Sequence, residues 1–302
     1  LAGCIAPVDA GDGYGTNLAD IRSGTWSQAA MNAAAPGLQR RLPRLVVKDC
    51  IVGRISPYMV ERFGFNPEAE VVAGSGDNPC SLAGLGLVGV SDRRAVSLGT
   101  SDTVFGYLPE PGTVDRAGGH IFGAADGGRM FLVCFKNGSL AREQVKNSYD
   151  LSWEEFSRIL TETPAGNNGR VLLPYFLPEI TPVVLASGVR RFGGLTADDM
   201  RGNVRGVAEA QAMSMLLHSA WTGPRPKSVL VTAGGSENLG LLTVIAQVFG
   251  AEVRALEVKE SAALGAAVRA AHALLNRDKH AMGWQALWGT MVGAASAQVI
   301  YP

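Results

Sequence analysis

The sequence lacks the patterns that define several common protein classes. It has no run approaching the ~20 apolar residues of a transmembrane helix, so we expect no membrane partner. It has few cysteines, none in C-x-x-C spacing and none near a histidine cluster, which predicts neither a zinc site nor a disulfide framework. Buried free thiols in a reducing compartment, the cytoplasm, fit these four residues best: Cys4, Cys50, Cys80 and Cys134.

An excess of charge of one sign is also missing. Lys and Arg together count 27, and Asp and Glu together also count 27. A formal net charge of +0 gives no electrostatic footprint for nucleic acid or an anionic membrane. We therefore expect small-molecule partners, and a homodimer is the one larger assembly that the sequence leaves open.

Two familiar nucleotide-binding motifs are missing as well. The chain contains no G-x-x-x-x-G-K-[ST] segment, which excludes a P-loop enzyme. Residues 84–89 match G-x-G-x-x-G, but they lie inside a predicted helix and not between a strand and a helix. We therefore reject a Rossmann site too.

What the chain does contain is a glycine-rich turn with one acidic side chain, Gly74-Ser75-Gly76-Asp77-Asn78-Pro79. The turn joins a predicted strand at 70–73 to a predicted helix of small residues at 81–88. Backbone N–H groups and helix dipoles converge at such edges, and α/β proteins bind ligands there. We interpret Asp77 as a catalytic base, although on this stretch alone an ordinary turn residue is the simpler interpretation.

Two other glycine turns follow in the sequence. Residues 97–101 (SLGTS) join two predicted strands and can offer backbone N–H groups and two hydroxyls to the phosphates of a nucleotide. A plain β-hairpin with a polar tip is the alternative. Residues 232–238 (TAGGSEN) lie between a buried strand and a helix, and the two glycines would let a purine or ribose approach the backbone. A tight β–α turn is the alternative here.

Periodicity and caps predict the remaining elements. Residues 12–17 are expected to form a loop, and the longest helix is expected at about 197–221 with a capping box of Thr196 and Asp199. A second capping box, Ser152 and Glu155, opens another helix. Further helices are predicted at 27–35, 58–63, 152–160, 238–249 and 261–275, and strands at 95–98, 103–107, 130–135, 171–173, 183–185, 229–231 and 253–256. A domain boundary is expected near residue 92.

The order of these motifs resembles the second half of the actin-like ATPase fold, in which two lobes clamp ATP. In detail the chain resembles the FGGY carbohydrate kinases, and among them the eukaryotic-type xylulokinase branch. The similarity covers nearly the whole chain up to about Leu275. Five separated blocks carry it: 12–22 with 24–27 (DGYGTNLADIR, GTWS), 53–58 (GRISPY), 76–84 (GDNPCSLAG), 97–102 (SLGTSD) and 200–203 (MRGN).

This resemblance implies an α/β, actin-like or ribonuclease H-like fold. Residues 92–302 would form the C-terminal ATP-binding lobe, and residues 1–91 the closing part of the N-terminal, sugar-binding lobe. The implied activity is transfer of the ATP γ-phosphate to D-xylulose, with Mg²⁺ carried by the nucleotide and no dedicated metal site. In this scheme Asp77 accepts the hydroxyl proton and Asn78 holds the ketose. Phosphates would contact Gly99, Thr100 and Ser101, and the adenosine would contact Gly234, Gly235, Asn238 and Trp153.

Members of the family carry a further N-terminal lobe, and the chain begins at Leu1 and not at Met. We therefore expect an N-terminally truncated sequence whose parent is an active kinase, and weak or absent kinase activity from these 302 residues alone. The alternative is a non-catalytic remnant that binds nucleotide or a partner protein. Within the kinase class, ribulose, glycerol and gluconate stay open as substrates.

Overall fold

The structure is a computed structural model that describes residues 1–109, 118–256, 260–277, 282–292 and 297–301. The segment before residue 92 contains short strands paired in two-stranded sheets. β1 and β4 are parallel, whereas β2–β3 and β5–β6 are antiparallel. Its elements are β1 (Val8–Asp9), α1 (Ala10–Gly15), β2 (Ala19–Asp20), β3 (Thr25–Trp26), α2 (Gln28–Ala34), β4 (Leu45–Val46), β5 (Ile51–Arg54), α3 (Pro57–Phe63), β6 (Glu70–Val72) and α4 (Asp77–Gly84), with a 3₁₀ turn at Leu38–Arg40.

The rest of the chain is built on one mixed sheet of seven strands. The elements of this part of the chain are β7 (Arg93–Leu98), β8 (Asp102–Leu108), β9 (His120–Gly123), β10 (Arg129–Phe135), α5 (Ser139–Asn147), α6 (Trp153–Glu162), β11 (Val171–Tyr175), β12 (Gly188–Phe192), α7 (Met200–His218), β13 (Ser228–Thr232), α8 (Leu239–Phe249), β14 (Glu252–Leu256), α9 (Ser261–Arg277), α10 (Trp284–Val292) and β15 (Ala297–Ile300). Short 3₁₀ turns occur at Asn167–Gly169, Ala220–Thr222 and Gly234–Glu237.

The strand order is β15-β14-β13-β7-β8-β10-β9, and β11–β12 form a separate pair. β13 is parallel to both β7 and β14, whereas the other neighbours are antiparallel. All five residues of β13 are buried, as expected for a central strand covered on both faces. Because β7 and β13 are parallel neighbours, the turns that follow them lie side by side.

Alternate residues of the strands supply two hydrophobic cores, because successive side chains point to opposite faces of a sheet. One face packs against α5, α6, α7 and α8 through Val96, Val104, Val133, Val229 and Val231. The other face packs against α4 and the segment after it through Ala95, Phe105, Met130, Leu132 and Leu230. The sheet is thus a central layer with helices on both sides.

Helices α4 and α9 cross in backbone contact. A Cβ atom added to Gly265 would lie 1.7 Å from the carbonyl oxygen of Cys80, and one added to Gly84 would lie 1.9 Å from that of Ser261. The Trp288 indole donates to the Gly84 carbonyl at 2.8 Å. The helix predicted at 261–275 is confirmed as α9, and its close contact fixes α4, which begins at Asp77.

Several predicted elements are confirmed, including the Ser152–Glu155 capping box of α6 and the helix predicted at 27–35, which is α2 and is capped by Ser27. The prediction for the longest helix was wrong at its start. α7 begins at Met200, and Asp199 caps it by accepting from the Gly202 N–H, so Thr196 is not the cap. Residues 183–185 form no strand, since only Val184 makes a bridge, to Glu179.

Other differences bear on the site. The predicted loop at 12–17 lies largely in helix α1, because Asp9 caps it by accepting from the Gly11 N–H. The helix predicted at 81–88 is α4, which begins at Asp77 and ends at Gly84. Elements that the sequence did not predict are β1 to β5 and α1 in the first segment, and β9, β12, β15, α5 and α10 in the rest of the chain. Within the described ranges, no helix is long and apolar enough to cross a membrane.

Candidate functional site

A cavity of about 930 Å³ opens where β7 and β13 end. Its walls come from the turn after β7, the start of α5, helix α6, and the turn and helix that follow β13. Six of the residues predicted to bind nucleotide line it: Gly99, Thr100, Trp153, Gly234, Gly235 and Asn238. Ser101 lies next to the lining residue Thr100 and is exposed. Asp77 and Asn78 do not line this cavity.

The start of α5 holds the turn between β7 and β8 in place. The Ser139 N–H donates to the Gly99 carbonyl at 2.9 Å. Gly138 lies so close to the turn that an added Cβ would be 2.7 Å from the Thr100 carbonyl oxygen. Thr100 and Ser101 are exposed, so their hydroxyls can reach a phosphate from a fixed backbone.

A buried ion pair lies beneath the same turn. Arg142 is 2% exposed and donates to both carboxylate oxygens of Asp102, at 2.6 and 3.0 Å. Burial raises the pKa of Asp102, and the charge of Arg142 opposes that rise. Arg142 also donates to Gln211 at 2.9 Å. This bidentate geometry fixes the first residue of β8 directly after the predicted phosphate-binding turn.

The turn after β13 is a 3₁₀ turn, Gly234–Glu237. Asn238 caps α8, because its side-chain oxygen accepts from the Leu241 N–H at 3.0 Å. The oxygen of Asn238 thus accepts one hydrogen bond from the helix, and its amide NH₂ group can donate to a ligand. The Gly240 N–H donates to the Ser157 hydroxyl at 3.0 Å, which joins this wall to α6.

Trp153 is the first residue of α6 and is 43% exposed. The Lys146 ammonium lies 5.6 Å from the centre of its ring, and Phe156 meets it edge to face at 5.4 Å. These contacts orient the indole at the cavity wall, where an aromatic ring can pack against a base.

Sequence reasoning missed several residues that line the cavity. Helices α5 and α6 supply Ser139, Arg142, Glu154, Ser157, Arg158 and Thr161, and α8 supplies Leu239 and Leu241. Helix α5 was not predicted, so nothing pointed to Ser139 or Arg142. For α6, the spacing of Trp153, Ser157 and Thr161 at four-residue intervals was the available signal, since such residues share one helix face.

Asp77 is the exposed first residue of α4. Its Oδ1 atom accepts from the backbone N–H of Asn78 at 2.8 Å and from the Asn78 side-chain amide at 3.0 Å. A carboxylate in the first helical turn is also stabilised by the helix dipole. The structure therefore presents an oriented carboxylate to solvent, with Asn78 as its neighbour.

A second carboxylate, Asp12, lies beside this turn. Partial burial and the charge of Asp9 raise the pKa of Asp12, as does the charge of Asp77, whereas the Gly76 N–H and Arg269 oppose the rise. A Cβ atom on Gly76 would lie 2.6 Å from Asp12 Oδ1, which explains the glycine there. Asp12 of α1 and Asp77 of α4 therefore both lie next to Gly76.

The structure also bears on the predictions made for metal ligands and for the four cysteine thiols. Across the ranges that the structure describes, no group of three or more His, Cys, Asp or Glu side chains is placed to hold a metal ion. All four cysteines are free. Cys80 is buried as predicted, but the prediction of a buried thiol was wrong for Cys4, which is exposed.

Comparison of the sequence with known proteins identifies its family. The profile of the FGGY family of carbohydrate kinases, C-terminal domain, matches residues 94–274. The chain is 42% identical over 285 residues to the xylulose kinase of Rattus norvegicus, covering 90% of this chain and 52% of the rat protein. It is 36% identical over 298 residues to xylulose kinase 2 of Arabidopsis thaliana, covering 92% and 53%. The chain thus spans about half the length of these curated relatives.

Solved structures agree on the fold. The gluconate kinase of Lactobacillus acidophilus superposes with a TM-score of 0.86 at 19% identity, covering 100% of this chain and 61% of that one. The ligand-bound xylulose kinase of the same organism gives 0.84 at 20% identity, with the same coverage. The predicted α/β, actin-like ATPase fold is confirmed. By the profile match over residues 94–274, the chain belongs to the FGGY family of carbohydrate kinases.

Proposed function

We propose that this protein transfers the γ-phosphate of ATP to D-xylulose, forming D-xylulose 5-phosphate. The observation that carries the proposal is the cavity at the ends of β7 and β13. It brings together six residues that the family resemblance assigned to ATP, from three separate parts of the chain. The 42% identity to the rat xylulose kinase supports the sugar, and a remnant that only binds nucleotide is not favoured by such relatives.

In this proposal the phosphates lie against Gly99, Thr100 and Ser101, and the adenosine lies between Trp153 and the 234–238 turn. The sugar lies at the start of α4, with Asn78 beside it. We also propose a domain boundary near residue 92, because β7 begins at Arg93 and the family profile begins at 94. A cytoplasmic location is proposed as well, since the four cysteines are free.

The chemistry needs one base from the protein. Asp77 takes the proton from the attacking hydroxyl of the ketose, the hydroxyl oxygen forms a bond to the γ-phosphorus, and the bond to the ADP oxygen breaks. The fixed hairpin and turn provide the positioning that such transfers depend on. Mg²⁺ supplies charge neutralisation when it is bound with the nucleotide, and the described residues offer it no cluster of their own.

The test is a coupled assay of ADP release on the complete polypeptide that the gene encodes, with Mg-ATP and a panel of sugars. We expect the highest kcat/KM with D-xylulose, ahead of ribulose, glycerol and gluconate. A higher value for another sugar would contradict the substrate, and no sugar-dependent ADP release at all would contradict the activity. Calorimetry with ATP on the 302-residue chain then shows whether nucleotide binding persists without turnover.

A matched pair of glycine substitutions tests the nucleotide turn. A Cβ atom on Gly235 would lie 2.6 Å from the Leu98 Cβ atom, whereas one on Gly234 would meet nothing within 4 Å. We expect Gly235→Ala to lower the melting temperature and weaken ATP binding about tenfold, because the turn or the 98–101 hairpin must shift. Gly234→Ala should leave the melting temperature unchanged.

Calorimetric titration with ATP and thermal unfolding measure the two effects separately. A loss of ATP affinity in Gly234→Ala without a loss of stability would show that adenosine lies directly on that glycine. Wild-type ATP affinity in folded Gly235→Ala protein would contradict the assigned turn.

A further inference from the structure

Arg269 is a buried cation in the middle of α9. It is 4% exposed, its Nη2 atom donates to Asp9 Oδ2 at 2.5 Å, and its Nε atom lies 3.3 Å from Asp49 Oδ1. Burial disfavours the charged form, but the hydrogen bond to Asp9 and the charges of Asp9 and Asp49 prevail and raise the pKa of Arg269. Burying such a charge is costly unless it is paired, so its place in the fold calls for an explanation.

The contacts of Asp9 explain why Arg269 is buried at this position. Its second oxygen, Oδ1, accepts from the Ser75 hydroxyl at 2.6 Å and from the Gly11 N–H at 2.8 Å. Ser75 lies two residues before Asp77. Three side chains therefore connect α9 with the turn that leads into the proposed base.

The turn packs closely against α1. A Cβ atom on Gly11 would lie 2.1 Å from the Ser75 hydroxyl. The Cys80 thiol also donates to the Ser75 carbonyl oxygen at 3.6 Å. Arg269 also lies four residues after Gly265, hence on the face of α9 that touches α4. The same helix thus holds α4 by its backbone and the turn before it by a side chain.

We propose that Arg269 is a positioning residue for Asp77, acting through Asp9 and Ser75 to fix the turn at 74–76. This inference rests on the proposed function, because it assigns a role in the reaction attributed to Asp77. Arg269 contacts neither Asp77 nor the cavity of about 930 Å³. Its loss should therefore affect the chemical step and leave nucleotide binding in place.

The experiment measures ADP release by the complete polypeptide. We expect Arg269→Met to lower kcat about 100-fold, since a misplaced catalytic group can cost that much. Arg269→Lys should restore part of the rate, because it keeps the charge but not the geometry. The KM for ATP should change by less than about threefold, as expected when ground-state nucleotide contacts are intact.

Ser75→Ala tests the connection without removing a buried charge. We expect a drop of about tenfold in kcat, since one hydrogen bond to a charged group is lost. The double variant, Ser75→Ala with Arg269→Met, should be no slower than Arg269→Met alone, because both substitutions break the same connection.

Arg205→Met is the matched control for lost stability. Arg205 is 1% exposed and pairs with Glu209 on α7, away from the turn. The Arg205→Met substitution should lower the stability of the protein, whereas the molecules that fold should keep the wild-type kcat. Hydrogen exchange at 74–77 should be faster in Arg269→Met than in Arg205→Met.

Unchanged kcat in folded Arg269→Met and Ser75→Ala, or unchanged exchange at 74–77 in Arg269→Met, would overturn the positioning role. Failure of the proposed function is a different result, namely no xylulose-dependent ADP release from the unsubstituted protein. In that case the exchange rates alone decide whether Arg269 holds the turn.

Discussion

Asp77→Asn should lower xylulose-dependent ADP release by about 10²–10⁴-fold, the range attributed to general acid–base catalysis. The amide has nearly the size of the carboxylate, and its oxygen can still accept from the Asn78 N–H, which Asp77 Oδ1 now accepts at 2.8 Å. It cannot accept the hydroxyl proton. Because Asp77 does not line the cavity, ATP affinity should stay at the wild-type value in calorimetric titration.

Two other carboxylates provide controls. Asp20→Asn changes an exposed acid on β2 and should leave turnover unchanged. Asp12→Asn changes the carboxylate next to the turn and should reduce turnover far less than Asp77→Asn does. Full activity in Asp77→Asn, with activity lost in Asp12→Asn, would move the role of base to Asp12.

Local sequence predicted the elements whose signals are local. The caps of α2 and α6 and the buried strand β13 follow from hydrogen-bonding side chains and from apolar runs. The six predicted residues that line the cavity stand in short glycine-containing turns or at a helix start, for which the order of motifs was informative. Asp77 was expected in a turn before the helix, but it is the first helical residue. Pro79, two residues later, does not prevent this, because proline is tolerated in the first turn of a helix.

Contacts between distant residues explain most of what sequence reasoning missed. Arg142 pairs with Asp102, 40 residues away, and Arg269 pairs with Asp9, 260 residues away. Neither pairing has a spacing that a helix or strand period could reveal. No element was predicted after residue 275, yet α10 and β15 lie there, because tertiary contacts such as the Trp288–Gly84 hydrogen bond hold this part of the chain.

The crossing of α4 and α9 should be the position most sensitive to added volume. A Cβ atom on Gly265 would lie 1.7 Å from the Cys80 carbonyl oxygen, and a backbone atom cannot turn aside as a flexible side chain can. We expect Gly265→Ala to lower the free energy of unfolding by about 3 kcal/mol, the upper end of what overpacking usually costs. Urea unfolding of the complete polypeptide measures the change.

Gly289→Ala is the matched control, because Gly289 lies within α10 and an added Cβ would meet nothing within 4 Å. It should stabilise the protein by about 0.5–1 kcal/mol, since alanine loses less backbone entropy than glycine in a helix. A similar gain from Gly265→Ala would contradict the close crossing.

The partner glycine extends this prediction from stability to activity. Gly84→Ala should destabilise the protein much as Gly265→Ala does, because its added Cβ would lie 1.9 Å from the Ser261 carbonyl oxygen. The two losses should not add, since once one methyl group has pushed the helices apart the second meets less resistance. α4 begins at Asp77, and α9 carries Arg269, so this separation should also displace the base. Folded Gly265→Ala protein should then lose kcat while its ATP affinity stays unchanged, and wild-type kcat in that protein would show that the helix crossing does not position Asp77.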